Sequence, residues 1–337
     1  MSRETRAFLI AVPVALSLGL AVGITGYADG LPPMPATLSW RSEEPIRALP
    51  RAANVAPDKA ALGERLFKDP RLSRDDTVAC TFCHDLAAGG VDHRQTAVGI
   101  GGQTGPVNTP TVFNAAFNFA QFWDGRAASL EQQVAGPVTN PKEMASSWDQ
   151  VLAKLSADAG YRAEFARLYA DGITATNIAD AIATFERTLV TPDSPFDRYL
   201  RGDAGALTAD QREGYRRFKI YGCASCHQGA NVGGNLFQRF GIMSDPLADK
   251  RPSSDADLGR YNVTHREEDR RVFKVPSLRN IALTAPYFHD GSAETLDDAV
   301  ARMGRAQLGR ELSAEDRRLI VAFLQSLTGQ WNGRPLN

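Results

Sequence analysis

Cys80-Thr81-Phe82-Cys83-His84 and Cys223-Ala224-Ser225-Cys226-His227 decide how this chain is read. Both are C-x-x-C-H, the pattern by which c-type haem is attached. Two thiols three positions apart bridge the two vinyl groups of the porphyrin, and the adjoining His reaches the iron from one face. A single such motif would serve equally as a redox dithiol or half a zinc site; two, each ending in His, favour haem over those alternatives. The four cysteines are the only ones in 337 residues. None is left for a structural disulfide, so a stapled secreted scaffold, short and cysteine-dense, is excluded.

The flanks of the two motifs repeat. A shift of 166 positions aligns Pro110 with Pro276, Asn114 with Asn280, Phe122-Trp123-Asp124-Gly125 with Phe288-His289-Asp290-Gly291, Leu130 with Leu296 and Val134 with Val300. Upstream, Gly63-Glu64-Arg65-Leu66-Phe67 matches Gly214-Tyr215-Arg216-Arg217-Phe218. The chain therefore reads as two copies of one haem domain. The copies differ by an insertion around the polar stretch Asp245 to Arg271, expected to be a surface loop. Thr191-Pro192-Asp193-Ser194-Pro195 interrupts between them and marks the boundary.

Helical signals dominate. Trp148 to Tyr169 and Ile178 to Leu189 carry apolar residues at helical spacing. Thr208 and Ser313 stand as capping residues before two further helices. Strands find little support, so the expected fold is all-α, two tandem cytochrome c-like helical domains with one haem each. The N-terminal domain is placed at 54–192 and the C-terminal domain at 193–337.

Ahead of them, Arg3 and Arg6 precede the uncharged apolar run Ala7 to Val22, with small residues around Ala28. Residues 1–28 read as an export segment, either a cleaved signal peptide or a retained membrane anchor. The proline-rich residues 29–53 read as a tether. An exported, periplasmic protein suits covalent haem. Charge is nearly balanced, 38 Lys+Arg against 39 Asp+Glu, which gives no basic face for a nucleic-acid partner.

The two copies are not equivalent. Met303 follows the second Phe-x-Asp-Gly by a short arm, and the same shift maps it to Pro137. A haem with two strong protein ligands transfers electrons, whereas one with an open position binds and activates small oxidants. On residue type alone Met303 reads equally as a core filler.

Ala120-Gln121-Phe122-Trp123-Asp124-Gly125-Arg126, Gly105-Pro106-Val107-Asn108-Thr109-Pro110-Thr111, Phe273-Lys274-Val275-Pro276-Ser277-Leu278-Arg279-Asn280, Ala285-Pro286-Tyr287-Phe288-His289-Asp290-Gly291 and Met303-Gly304-Arg305-Ala306-Gln307-Leu308-Gly309 resemble the bacterial dihaem cytochrome c peroxidases, in the superfamily that includes MauG. The resemblance covers Asn54 to Gly329. It implies a peroxidatic haem in the N-terminal copy and a higher-potential haem in the C-terminal copy that receives electrons. It implies two covalent c-type haems, attached through Cys80, Cys83, Cys223 and Cys226. His84 and His227 match the proximal ligands, Met303 the distal ligand of the second haem, and Trp123 the residue between the haems. Gln133 and Glu143 match the polar pair of the peroxide pocket, with Glu143 the acid–base group. Taken alone, Glu143 reads as a solvated carboxylate in a turn. Asn108, Thr284 and Pro286 match an interdomain calcium site. The implied substrate is hydrogen peroxide, the donor a small c-type cytochrome or cupredoxin, and a homodimer is usual.

One position departs from the pattern. Many members close the resting peroxidatic haem with a distal His, and Ile100 stands at that position here. His93 lies seven residues earlier; a lone loop His is more often solvated. The expectation is a His84 haem that stays open when fully oxidised. His265 and His289 are read as structural. Two alternatives remain: a MauG-like oxidase, against which Met303 argues because those proteins carry Tyr there, and an electron carrier with both irons saturated, which needs His93 or Met144 as a ligand.

Overall fold

A computed structural model describes residues 44–246 and 254–336, all within the unit Glu43–Asn337. The expected export segment and the first part of the tether lie outside the described residues. Among those described, no helix is long and apolar enough to cross a membrane. The fold is mostly helical. In chain order the helices are α1 (Pro57–Phe67), α2 (Cys80–Cys83), α3 (Leu130–Thr139), α4 (Trp148–Ala157), α5 (Ala159–Leu168), α6 (Ala175–Glu186), α7 (Pro195–Leu200), α8 (Ala209–Ile220), α9 (Tyr261–Thr264), α10 (Leu296–Leu308) and α11 (Ala314–Gln325). Two short antiparallel pairs accompany them, β1 (Phe237–Arg239) with β2 (Val272–Lys274) and β3 (Gln330–Trp331) with β4 (Arg334–Pro335).

Most of the long helices start where a side chain satisfies free N–H groups, while α1 opens with Pro57, which lacks one. Ser129, Ser147, Thr174 and Thr295 cap α3, α4, α6 and α10. Thr208 with Gln211 closes a capping box at α8, and Ser313 caps α11. The continuous helical pattern from Trp148 to Tyr169 is broken at one residue. The Asp158 carboxylate accepts from the amides of Gly160 and Tyr161 and starts a new helix there.

The sequence repeat is a backbone repeat. Asn114 and Asn280 are both left-handed, at φ of 60° and 59°, as are Phe122 and Phe288, at 67° and 72°. The isolated bridges Gln121 to Ala127 and Tyr287 to Ala293 are related by the same shift. In each half an early and a late helix cross at a glycine. A Cβ on Gly63 of α1 would lie 1.9 Å from the Ala181 carbonyl oxygen of α6, and one on Gly214 of α8 would lie 1.9 Å from that of Leu319 in α11. Only hydrogen at these positions lets the backbones meet so closely.

Buried apolar side chains form two main clusters. One runs through α1, α3, α4, α5 and α6, centred on Leu62, Leu66, Phe165 and Ile182. The other joins α7, α8 and α11 through Phe196, Phe218, Ile320 and Phe323. Between them the shift-related pair Asn114 and Asn280 converge on Thr191, each donating its amide to the hydroxyl, at 2.8 and 3.0 Å. All three are fully buried.

Residues 44–49, read above as part of the tether, are packed against the second cluster. Ile46 belongs to it, and the Leu49 amide donates to Asp197 at 3.0 Å. Arg279, itself paired to Asp197 at 2.9 Å with both side chains inaccessible, donates to the carbonyls of Arg47 and Ala230. The insertion is also more than a surface loop. It carries α9, and Asp257 is buried with a carboxylate 2.8 Å from Nε2 of His289.

Candidate functional site

Two cavities carry the residues singled out from sequence, one beside each C-x-x-C-H motif. The smaller, about 60 Å³, is lined by Cys80 and Cys83 of α2, His84 after it, Gln133 and Pro137 of α3, and Glu143 and Met144 in the turn that follows α3. The larger, about 380 Å³ and mostly apolar, is lined by Cys223, Cys226 and His227 on one side and Met303 of α10 on another. Trp123, Asn108, Thr284 and Pro286 border that same cavity. Met303 and Pro137 thus occupy repeat-related positions on corresponding helices, each facing its own cavity.

The four cysteines are unbridged. Burial pushes the Cys80 thiol well up, Cys83 up to about 12 and Cys223 up to about 11. Both motif histidines are half-buried, and loss of water around the ring favours the neutral form, which ligates metal. Burial lowers His84, whose Nδ1 lies 3.1 Å from the Gly90 carbonyl, leaving Nε2 for a metal. Burial pushes His227 down to about 4, partly offset by the carbonyls of Val232 and Pro276; its buried Nδ1 makes no well-formed hydrogen bond. Each motif thus sets a neutral imidazole beside two thiols, the donor set of a c-type haem, and the larger, apolar cavity also offers it room.

Around His84 the polar groups are few and specific. Glu143 is raised by burial, opposed by the Asn140 side chain, which donates to its Oε1 at 2.6 Å. It is therefore not the solvated carboxylate its turn suggests in sequence. Ile100 is buried in the apolar core and its amide donates to the Glu143 carbonyl at 2.8 Å. The loop carrying Ile100 thereby braces the turn carrying Glu143. His93 is exposed, its Nδ1 3.1 Å from the Ala285 carbonyl and its Nε2 3.1 Å from that of Ala88, and it borders neither cavity.

Trp123 is held at three points: its Nε1 donates to the Asn108 carbonyl at 2.9 Å, its carbonyl accepts from the Lys274 amide at 2.8 Å, and its ring meets His289 edge-on. With Met303 it packs on Phe240 and Phe273. His289 stacks on Phe273 at 4.5 Å, and its Nε2 lies 2.8 Å from an Asp257 carboxylate oxygen.

Residues 57–205 match the family described as di-haem cytochrome c peroxidase. The cytochrome c551 peroxidase of Nitrosomonas europaea is 48% identical over 289 residues, which are 86% of this chain and 85% of that protein. The chain belongs to the di-haem cytochrome c peroxidase family. Cytochrome c peroxidase Ccp of Escherichia coli K12 is 53% identical over 287 residues; these are 85% of this chain but 61% of that longer protein. A solved MauG-like protein associated with microbial copper homeostasis has the same fold, with a TM-score of 0.73 at 28% identity over 85% of this chain and 93% of its own. Family membership implies two haem cofactors and an oxidoreductase.

Two lining residues escaped the sequence reading. Glu186 ends α6 facing the smaller cavity, 5% exposed, with Oε2 lacking a hydrogen bond and its carboxyl pushed up to about 8 by burial. Its place at i+4 from Ile182 and i+8 from Ile178, on the apolar stripe, was the available signal. Lys274 is 6% exposed on the larger cavity; its apolar neighbours Val272, Phe273 and Val275 were the corresponding hint.

Proposed function

We propose that the protein reduces hydrogen peroxide to water in the periplasm, with electrons from a small c-type cytochrome or cupredoxin. The observation that carries this reading is the asymmetry of the cavities: Met303 faces the one beside His227, while Pro137, Gln133 and Glu143 face the one beside His84. In the domains 54–192 and 193–337, Cys80 and Cys83 with His84, and Cys223 and Cys226 with His227, would hold the two haems covalently. When bound, a haem held by His84 would supply an open position for peroxide, and one held by His227 and Met303 would supply a saturated, higher-potential electron store.

The chain's own part is to position and to move protons. Each turnover takes one peroxide, two electrons and two protons to two waters. Glu143, half-buried and held by Asn140, takes a proton from the nearer peroxide oxygen and returns it to the leaving oxygen. The Gln133 amide orients the peroxide, and the bond from Asn140 fixes the Glu143 carboxyl. Trp123, held by Asn108 and Lys274, gives a rigid aromatic bridge toward the second cavity. Asn108, Thr284 and Pro286 offer neutral oxygens suited to a hard cation such as calcium; with no carboxylate on that cavity, such a site would be weak. Because Ile100 replaces the closing His, the His84 side is competent without prior reduction.

The test is stopped-flow mixing of half-reduced holoprotein with hydrogen peroxide in the presence of a reduced small cytochrome. Rapid multiple turnover supports the reading, and a single slow reaction with no donor oxidation overturns it. One observation favours a second reading: Met144 borders the smaller cavity, and as a ligand it would make the protein an electron carrier. In that case Met144→Leu creates peroxide reactivity that the parent lacks.

A further inference from the structure

The charged residues of the two cavities are opposite in kind. Glu143 and Glu186 are the acidic residues on the smaller one, with no Lys or Arg. On the larger one Lys274 is the sole charged residue among those described, with no Asp, Glu or Arg. Lys274 lies at the end of β2, paired in register with Phe237, and its side chain is as buried as the apolar core around it. Among the described residues its ammonium forms no ion pair, and burial alone accounts for its lowered proton affinity, pushed down to about 8. An ammonium removed from water without a partner is strongly disfavoured, so buried charges are paired. Whatever fills the cavity displaces water from this ammonium and is placed to supply its partner.

We propose that the Lys274 ammonium pairs with a carboxylate of the group filling the larger cavity, a propionate of the haem attached at Cys223 and Cys226, and thereby raises that haem's reduction potential. The inference rests on the reading that a haem held by His227 occupies this cavity. Reduction lowers the net charge of the iron centre by one, so a nearby cation stabilises the reduced form, and net charge is among the determinants of haem potential. Lys274 also holds Trp123 through its backbone amide. The residue that sets the electron store is thus covalently continuous with the contact that fixes the aromatic bridge. The chain divides its charges accordingly, a cation where electrons arrive and two carboxyls where protons are consumed.

The experiment uses holoprotein of Lys274→Met, a near-isosteric apolar replacement, and of Lys274→Arg, which keeps the charge. Spectroelectrochemical titration follows each haem separately, and resonance Raman reports the propionate bending modes. Lys274→Met is expected to lower the reduction equilibrium constant of the His227 haem about tenfold, a fall of about 59 mV for one electron, and to shift its propionate modes. The His84 haem should change less than about threefold. Lys274→Arg should keep the potential within about threefold and move the Raman modes. The proposal is overturned by an unchanged His227 potential and unchanged modes in Lys274→Met, or by equal shifts at both haems. Should Lys274→Met not accumulate with haem, a Lys274→Arg protein that loses the potential overturns it as well. Failure of the ligand reading is separate: it shows in the parent protein, as absence of the near-infrared band of methionine-ligated ferric haem.

Discussion

Replacing Gly63 or Gly214 by Ala should damage one half of the molecule and spare the other. In α1 the added Cβ would sit 1.9 Å from the Ala181 carbonyl oxygen, and in α8 the same distance from that of Leu319, where ordinary contact begins at 3.4 Å. The helices must therefore separate by about 1.5 Å, because the obstacle is backbone and no rotamer change relieves it. Forcing a methyl into a packed core costs about 1–3 kcal/mol, and the upper end applies here. Ala gains about 1 kcal/mol over Gly in helix propensity, leaving a net loss of about 2 kcal/mol. At about 2–4 °C per kcal/mol for a chain of this size, Tm should fall by about 4–8 °C. Phe67 and Ile182, beside the first crossing, line the smaller cavity, while Phe218 and Ile320, beside the second, line the larger. Gly63→Ala should then alter the spectrum of the His84 haem alone and Gly214→Ala that of the His227 haem alone. Thermal unfolding followed by circular dichroism, with magnetic circular dichroism of each haem, reads both effects. An unchanged or raised Tm, or equal disturbance of both haems by either variant, would refute the close-crossing argument.

Glu143→Gln should reduce the rate of peroxide consumption about 10²–10⁴-fold, the range for loss of a proton-transferring group, while electron transfer from donor to the His227 haem is unchanged in stopped flow. Glu186 gives a pH dependence of stability. Its carboxyl is raised from 4.5 to about 8 by burial, so the folded state binds this proton more tightly than the unfolded chain. The stabilisation is fully present below pH 4.5 and declines as pH rises toward 8, a loss of about 5 kcal/mol at about 1.36 kcal/mol per unit. Glu186→Gln holoprotein should therefore show a flatter decline of unfolding free energy over that window, and a decline identical to the parent's would count against a buried neutral Glu186.

What could be read from residues alone was whatever is encoded locally or by repetition. The C-x-x-C-H spacing is dictated by the attachment chemistry, the caps Thr208 and Ser313 act within one turn, and the 166-residue shift carries left-handed Asn and Phe from one half to the other. What was hidden depends on partners distant in sequence. Glu186 and Lys274 look like surface charges until the helices and strands around them close over them. The insertion reads as solvated because its acidic residues are numerous, yet Asp257 is drawn inside by His289, 32 residues away. Residues 44–49 read as tether because prolines obscure any periodicity; they are fixed by hydrogen bonds to Asp197 and Arg279, supplied by the opposite half of the chain. Trp148 to Tyr169 shows the limit of periodicity, since one capping carboxylate at Asp158 outweighs a continuous apolar stripe.

The central claim is that one half stores electrons and the other is an open site, through Met303 facing one cavity, Pro137 facing the other and Ile100 in place of a closing ligand. Low-temperature electron paramagnetic resonance of the fully oxidised resting holoprotein tests this most directly. The account predicts one low-spin His–Met signal, abolished by Met303→Leu, together with one high-spin signal from the His84 haem. Two low-spin signals with no high-spin iron in the oxidised protein would contradict it.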